Sequence, residues 1–164
     1  QKSGFPDMSV VECHGSIHHL QCLRACSTSI WPAHDFHPRI DEERCLILDE
    51  IPTCPDCQAI ARPNILMFGD WSWIDERTQL QFARLSAWRK TVKRSVMIEI
   101  GAGSAIPSVR EFGEELHCPI IRINPNEPDV LSPEDVGICT GALAGIRGIW
   151  AALNGHRQSL TSQD

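Results

Sequence analysis

Two pairs of cysteines lie in the first third of the sequence. Cys22 and Cys26 are separated by three residues, Cys54 and Cys57 by two, and 27 residues lie between the pairs. A short turn between two cysteines directs both sulfur atoms to one point, and two such turns supply the four ligands of tetrahedral zinc. The spacing therefore predicts a four-thiolate zinc site. The alternative is that these cysteines are buried or disulfide-bonded.

Composition limits the class of protein. A chain of 164 residues with 42% hydrophobic and 22% charged residues is typical of one soluble globular domain spanning residues 1–164. The formal charge of −6 argues against binding to nucleic acid, and no apolar run is long enough for a membrane span. Cysteines outside the two pairs are expected to be small buried residues, which favours the cytoplasm or another reducing compartment. These are Cys13, Cys45, Cys118 and Cys139.

The segment between the cysteine pairs differs from the rest of the chain. Residues 22–57 contain four prolines, and only residues 41–48 show a periodic pattern. A segment with so few core-forming residues needs a cross-link, which a bound metal provides. We therefore expect residues 22–57 to form a small zinc-binding module inserted into a larger fold.

After Cys57 the sequence alternates between short apolar runs and helical patterns. Residues 65–68, 96–100 and 119–123 are expected to be strands, and helices are expected around residues 82–92, after Pro107, and over residues 143–153 up to Asn154-Gly155. This alternation predicts an α/β fold with a partial Rossmann-like parallel sheet and helices on both faces. Ligands of such sheets bind at the carboxyl ends of the strands. Those ends are expected at residues 69–70, 101–104 and 124–126.

Two groups of residues are candidates for chemistry on their own pattern. Gly101-Ala102-Gly103-Ser104 follows a predicted strand and precedes a helix, so its backbone amides could cradle a phosphate or a ribose. The alternative is a plain tight turn, because the third glycine of the usual dinucleotide motif is absent. His14 could act as a general base near neutral pH, or could be a structural histidine.

Several motifs taken together resemble the sirtuin family of NAD-dependent protein-lysine deacylases. Residues 12–16, Glu-Cys-His-Gly-Ser, are similar to the family's E-x-H-G-S motif, and the step from His14 to Cys22 matches its step to the first zinc cysteine. Residues 62–70 resemble its R-P-x-[VI]-V-x-F-G-[ED] strand. Residues 100–104 stand where the family has V-G-T-S, and Asn124 stands where it has a ribose-contacting asparagine. The resemblance covers residues 1–153.

The resemblance implies that NAD and Zn²⁺ are the cofactors and that an acyl-lysine protein or peptide is the substrate. His14 would be the catalytic base, and the zinc, held by Cys22, Cys26, Cys54 and Cys57, would be structural. The peptide would bind as an added strand at Leu66, Phe68, Gly69 and Asp70. The expected NAD contacts are Gly101, Ala102, Gly103, Ser104, Asn124, Pro125, Asn126, Cys139 and Thr140.

The sequence also departs from the family pattern. The first zinc pair has one extra residue between its cysteines, Ala102-Gly103 replaces Thr-Ser, and Leu66 stands where valine is common. The glycine-rich first dinucleotide loop and the Asn-x-Asp motif are not found, and Gln1-Lys2-Ser3-Gly4 resembles the residues that follow Asn-x-Asp. We therefore expect the C-terminal two-thirds of a sirtuin, which is inactive by itself. Two alternatives are a sirtuin-like NAD glycohydrolase or ADP-ribosyl transferase, and a non-catalytic zinc-binding fragment. The sequence leaves the oligomeric state open.

Overall fold

A computed structural model describes the backbone of residues 4–161 and the side chains of residues 4–155. The chain divides into two compact units, residues 1–91 and residues 92–164. None of the helices in the described range is long and apolar enough to cross a membrane. The single domain over residues 1–164 and the boundaries of the module at residues 22–57 stay predictions.

The first unit contains a three-stranded antiparallel sheet with the strand order β2-β1-β5. Its strands are β1 (Gly15–Cys22), β2 (Ile30–Pro32) and β5 (Ala61–Ile65). The pairing of β1 with β5 shifts in register between Ser16 and Leu20, which marks a β-bulge. The bulge lies just after the turn that carries His14, so it sets how that turn leaves the sheet.

A buried polar network fixes the segment after this sheet. The Asn64 side-chain amide donates to Gln21 Oε1 at 2.9 Å and to the Ile74 carbonyl at 2.7 Å. Gln21 in turn donates to the Ser72 carbonyl at 2.8 Å, and both amide side chains are fully buried. Buried amides destabilise a fold unless they are paired, so the network holds residues 72–74 in one position against β1 and β5.

The strand predicted at residues 65–68 is wrong in position and in pairing. The observed strand β5 covers Ala61–Ile65 and pairs antiparallel with β1 instead of entering a parallel sheet. Leu66, Met67 and Phe68 follow it in an exposed loop, with the Phe68 side chain 92% exposed. A short apolar run cannot by itself distinguish a buried strand from an exposed apolar loop.

The predicted zinc module holds little regular structure, as expected. Besides β2, it contains a two-stranded hairpin of β3 (Ile40–Asp41) and β4 (Leu46–Ile47). Large apolar side chains of this hairpin, including Ile40 and Leu46, are exposed. Apolar burial therefore contributes little to holding the hairpin.

The helix of the first unit, α1 (Glu76–Arg89), differs from its predicted packing. The sequence pattern places Phe82, Leu85 and Trp88 on one apolar face, yet Trp88 is 57% exposed. The side chains that α1 buries fully are the polar residues Thr78 and Gln81. Hydrogen-bond partners elsewhere in the unit, described below, explain their burial.

The second unit contains the parallel sheet that the sequence predicts. The strands β6 (Met97–Ile100), β7 (Ile120–Ile123) and β8 (Val136–Ile138) lie in that order and are all parallel. The helices are α2 (Ser108–Glu115) and α3 (Ala142–Thr161). The strand β8 was not expected from the sequence, and α3 continues through Asn154-Gly155, where an end was predicted.

The two helices of this unit pack on opposite faces of the sheet. A Cβ atom at Gly113 of α2 would lie 2.6 Å from the Met97 sulfur, whereas one at Gly145 of α3 would lie 2.6 Å from Ile123 Cγ2. Ile123 pairs with Ile100, and residues 97 and 100 of one strand point to opposite faces. The α/β fold with a parallel sheet and helices on both faces is therefore confirmed.

Candidate metal centre, catalytic turn and strand-end cluster

The four predicted zinc ligands meet at one point in the first unit. The sulfur atoms of Cys22, Cys26, Cys54 and Cys57 all lie within 4.8 Å of one another. Two of the six distances, Cys22 to Cys57 and Cys26 to Cys54, are 3.6 Å. Zinc–sulfur bonds of about 2.3 Å place the sulfurs of a tetrahedral site about 3.8 Å apart. The cluster therefore fits a zinc ion with four thiolate ligands.

Two tight backbone turns bring these sulfurs together. In the first turn the Ala25 N–H donates to the Cys22 carbonyl at 3.1 Å, and in the second the Gln58 N–H donates to the Cys54 carbonyl at 3.0 Å. Ala25 and Gln58 both have a positive φ, of 47° and 59°. Each turn thus contains one residue in the left-handed region, whether two or three residues separate its cysteines. The spacing of three residues does not disturb the site.

The thiols are not electrostatically equivalent. Hydrogen bonds from the backbone, chiefly the Cys26 N–H, lower the pKa of Cys22 to about 6 despite its burial. Contacts with the neighbouring thiols Cys57 and Cys22 raise the pKa of Cys26 to about 12. Negative charges on several thiolates this close would repel one another. A divalent cation bound between the sulfur atoms stabilises all four thiolates.

His14 lies on a tight turn at the beginning of β1. The turn has Cys13 and His14 at its tip and is closed by the Gly15 N–H, which donates to the Glu12 carbonyl at 2.9 Å. On its other side the Leu66 N–H donates to the His14 carbonyl at 3.0 Å. Both side chains at the tip are exposed, and the Cys13 sulfur lies 3.7 Å from His14 Nδ1. The imidazole is therefore accessible while its backbone is held on both sides.

Gly15 permits the close approach of this turn to β5. Its φ is 81°, and a Cβ atom there would lie 2.0 Å from the Asn64 carbonyl oxygen. An L-residue would be strained by the dihedral and would overlap the neighbouring backbone. The glycine after His14 is therefore required by the geometry of the turn.

Glu12, the first residue of the turn, is bound by α1. Arg77 forms an ion pair with the Glu12 carboxylate, and the Gln81 amide donates to it at 3.4 Å. Burial acts to raise the pKa of Glu12, but the hydrogen bonds from Arg77, Ser16 and Gln81 lower it below its ordinary value. Glu12 therefore stays charged at neutral pH. No local sequence pattern reveals the roles of Arg77 and Gln81, because their partner lies more than 60 positions away.

The predicted peptide-binding residues lie in the loop after β5. Leu66 and Phe68 expose their side chains, and Gly69 has a positive φ of 67°. The Asp70 carboxylate instead forms a 2.6 Å ion pair with Arg62, in which both side chains are about nine-tenths buried. Burial acts to raise the pKa of Asp70, but hydrogen bonds from Arg62 and the Ser72 N–H lower it. Asp70 thus shapes the loop, and its contact with a peptide stays a prediction.

The predicted NAD contacts gather at the carboxyl ends of β6, β7 and β8 in the second unit. The Gly101 N–H donates to the Ile123 carbonyl at 2.9 Å, and the Asn124 N–H donates to the Ile138 carbonyl at 3.2 Å. The Cys139 thiol donates to the Pro125 carbonyl at 3.2 Å, next to Thr140. The sheet thus brings together residues 101–104, 124–126 and 139–140, as the parallel topology predicts.

Asn124 organises the loops of this strand-end cluster. Its side-chain amide donates to the Ala102 carbonyl at 3.0 Å, and its Oδ1 accepts from the backbone N–H groups of Asn126 and Glu127. The side chain is buried, and its hydrogen-bonding groups serve these two loops. The predicted contact of Asn124 with a ribose stays a prediction.

Two residues of the cluster were missed by the sequence. Glu127 accepts from the Ser104 N–H at 2.7 Å and from Ser104 Oγ at 3.1 Å. Arg110 of α2 donates to the Ala102 carbonyl at 2.9 Å and to the Glu127 carbonyl at 2.8 Å. Glutamates shortly after a strand and arginines in a helix are common in proteins. Their sequence positions therefore do not indicate that Glu127 and Arg110 belong to this cluster. A serine hydroxyl beside an exposed carboxylate suits the hydroxyl groups of a ribose.

Buried charges support the cluster from below. Arg122 of β7 donates to Glu99 of β6 at 2.6 Å, and both side chains are almost fully buried. Hydrogen bonding to Glu99 is the main cause of a raised pKa of Arg122. This pair lies on the face of the sheet that α2 covers.

The fold and these sites define an α/β protein with a four-cysteine metal centre and a histidine on a fixed turn. The sequence profile of the Sir2 family matches residues 1–108, and the chain belongs to this family. A curated relative is the NAD-dependent histone deacetylase HST3 of Saccharomyces cerevisiae, with 29% identity over 86 aligned positions. The alignment covers 42% of this chain and 18% of HST3.

Solved structures of the family share the fold. Sir2Tm bound to a propionylated peptide is 19% identical and has a TM-score of 0.56, with 94% of this chain and 59% of that chain covered. A Sir2 complex with a p53 peptide and NAD⁺ is 18% identical, with a TM-score of 0.52 over 88% of this chain and 55% of that one. The chain thus spans less than three-fifths of the length of these structures and under a fifth of HST3.

Proposed function

We propose that this chain carries the catalytic base, the zinc module and the adenosine-binding edge of an NAD-dependent protein-lysine deacylase. The observation that carries the proposal is His14, which is exposed on a turn held from both sides in a chain of the Sir2 family. A solvent-accessible imidazole on a fixed backbone suits a general base. The same activity is supported by the relative HST3, which is a NAD-dependent histone deacetylase, and by the Sir2 structure that contains a p53 peptide and NAD⁺.

Both expected cofactors fit this proposal. Bound NAD would supply the electrophilic ribose carbon and the acceptor for the acyl group. Ser104, Glu127 and the exposed backbone around Gly101 would hold its adenosine side, with Asn126 and Thr140 at the same edge. Zinc would be structural, because four protein thiolates leave no open coordination position for water.

His14 would act on a proton rather than on the metal. Bound NAD would supply the ribose hydroxyl, after its nicotinamide has left and the ribose carbon has been taken up by the acyl oxygen. A ring nitrogen of His14 would accept the proton of that hydroxyl, which would make the hydroxyl oxygen nucleophilic toward the acyl carbon. The closed turn between Glu12 and Gly15 would keep the backbone of His14 in place during this step.

The substrate would be an acyl-lysine peptide bound along the loop after β5. Peptides that add as a strand are recognised mainly through their main chain. Exposed Leu66 and Phe68, with Gly69 between Phe68 and Asp70, offer an apolar surface and an accessible backbone for such a peptide. Arg62 and Asp70 would keep the loop in the receptive conformation through their buried ion pair.

The proposal is tested by nicotinamide release with NAD and an acetyl-lysine peptide. His14→Ala is expected to lower turnover by about two to four orders of magnitude, because general-base catalysis contributes that much. His18→Ala, at an exposed histidine on the neighbouring strand β1, is the matched control and should keep near-native turnover. The assay is run with and without the acetyl-lysine peptide, and nicotinamide release is expected only when the peptide is present.

The remaining results would contradict the proposal. Native turnover in His14→Ala would make His14 a structural residue. Nicotinamide release that does not depend on the acyl peptide would indicate an NAD glycohydrolase or an ADP-ribosyl transferase. Absence of turnover, with zinc and fold intact, would indicate a non-catalytic zinc-binding chain.

A further inference from the structure

The fully buried side chains of α1 are polar, and both contact the same residue. Thr78 and Gln81 are 2% and 5% exposed, whereas the apolar residues of the helix are more accessible. Both point to Glu12, the residue that begins the turn carrying His14. Buried hydroxyl and amide groups destabilise a fold unless they are hydrogen-bonded, so apolar side chains would serve better if packing were their only role.

The two side chains bind both backbone groups of Glu12. The Glu12 N–H donates to Gln81 Oε1 at 2.8 Å, and Thr78 Oγ1 donates to the Glu12 carbonyl at 3.1 Å. These contacts join positions separated by 69 and 66 residues in the sequence. Together they fix the peptide groups on either side of Glu12, and Gln81 also donates to the Glu12 carboxylate.

The clamped carbonyl also belongs to the turn. The Glu12 carbonyl accepts the Gly15 N–H at 2.9 Å, so one oxygen joins α1 to the hydrogen bond that closes the turn. On the opposite side, Leu66 holds the His14 carbonyl. A displacement of Glu12 would therefore be transmitted to His14 through two peptide units.

We propose that Thr78 and Gln81 are positioning residues, which fix the His14 imidazole through the main chain of Glu12. Catalytic groups must be held within about 0.5 Å of their productive geometry, and buried supporting residues provide that precision. The role rests on the proposed function only in taking His14 as the catalytic base. The clamp itself is a property of the folded chain.

Substitutions of similar shape isolate the clamp from the packing of the helix. Thr78→Val removes the hydroxyl but keeps the volume, and Thr78→Ser keeps the hydroxyl. Gln81→Leu removes the acceptor of the Glu12 N–H and also the weaker contact with the Glu12 carboxylate, so Thr78→Val is the cleaner of the two variants. Gln79→Leu is its matched control, because Gln79 lies on the exposed side of α1 and its side chain contacts Asp75 instead.

The first measurement uses nuclear magnetic resonance on this chain and needs no catalytic activity. Thr78→Val and Gln81→Leu are expected to speed hydrogen exchange of the Gly15 amide about two- to tenfold, the effect of losing one hydrogen bond. The His14 Cε1 proton signal should shift or broaden in the same variants. Thr78→Ser and Gln79→Leu should keep the native exchange rate and signal.

The second measurement is kinetic and uses the same nicotinamide-release assay. Thr78→Val should lower kcat about two- to tenfold with KM nearly unchanged, and Thr78→Ser should restore kcat. Unchanged Gly15 exchange and an unchanged His14 signal in both Thr78→Val and Gln81→Leu would overturn the clamp, as would equal effects of Gln79→Leu. Native turnover in His14→Ala would overturn the proposed function but not the clamp, since the resonance measurements do not depend on catalytic activity.

Discussion

The cysteine module and the strand-end cluster are both built on turns, but they are held in different ways. In the module, two short turns direct four sulfurs to one point, and the hairpin beside them exposes its large apolar side chains. In the cluster, Asn124, Arg110 and Glu127 tie separate loops together by many hydrogen bonds. The cysteine module depends on one metal ion that its four thiolates share. The strand-end cluster is held by many separate hydrogen bonds. Single substitutions should therefore act very differently in the two regions.

The largest effect is expected when one thiol of the module is removed. Cys54→Ser should lower the zinc content from one per chain to near zero and loosen residues 22–57, because a structural metal and the fold around it form together. Metal analysis and limited proteolysis of the purified chain measure the two effects. The second unit should keep its hydrogen-exchange protection.

Cys45→Ser is the control, because Cys45 is a cysteine of the same module that lies outside the cluster. It should retain one zinc per chain. Full zinc retention in Cys54→Ser, or absence of zinc from the unmodified chain, would contradict a site of four cysteines.

A smaller but clear effect is expected when the buried charge pair below the cluster is broken. Glu99→Ala leaves the Arg122 charge buried without its closest partner, which typically lowers the free energy of unfolding by about 3–5 kcal/mol. Chemical denaturation measures this loss of free energy of unfolding, and hydrogen exchange of the β6 and β7 amides locates it in the second unit. Zinc content should not change, which separates the two regions.

A paired replacement sharpens this test. Glu99→Met combined with Arg122→Leu removes both charges and keeps apolar volume, so much of the lost stability should return. A double variant less stable than Glu99→Ala would show that the pair contributes more than the avoidance of a lone buried charge.

The same contrast explains what the sequence could predict. Cysteine spacing of two and three residues determines local turns, so the metal centre followed from short-range geometry. The parallel sheet followed from alternation of elements, which brought residues 101–104 and 124–126 to one edge. Contacts such as those of Glu12 with Thr78 and Gln81 join residues 66 and 69 positions apart, and no local pattern encodes them.

The error at residues 65–68 has a related cause. The apolar letters Ile65-Leu66-Met67-Phe68 suggested a buried strand, but the strand ends at Ile65 and the following side chains are exposed. The buried Arg62–Asp70 pair brackets this segment and holds it as a loop. An ion pair between two charged residues spans the apolar run, and hydrophobicity alone cannot reveal it.

A moderate, pH-dependent effect is expected at this pair. The folded pKa of Asp70 is lowered, so its contribution to stability is present above the unfolded pKa of about 3.9 and is lost as the pH falls through the folded pKa. Asp70→Asn should lower the free energy of unfolding by about 1.5–3 kcal/mol at pH 7. Denaturation from pH 7 to pH 2 measures the difference from the unmodified chain, which should shrink below about pH 4. A constant difference over this range would contradict the charge-based explanation.

The smallest effect is expected at the surface ion pair of the module. Arg39 and Asp49 lie 2.6 Å apart, but the Arg39 side chain is 76% exposed. Solvent and salt screen such pairs, so Asp49→Ala should leave both Tm and zinc content essentially unchanged. A large loss of zinc in this variant would show that the Arg39–Asp49 ion pair, as well as the four thiolates, is needed to hold the metal.

Gly15 has a consequence for how this sequence can vary. With a Cβ–oxygen separation of 2.0 Å against Asn64 and a φ of 81°, its position admits a single amino acid. In a saturation library selected for folding, every codon at position 15 that does not encode glycine should be depleted. Two positions earlier, the exposed side chain of Cys13 meets no such limit, and its codon should accept many replacements. The turn that presents His14 thus combines a position closed to mutation with one open to drift.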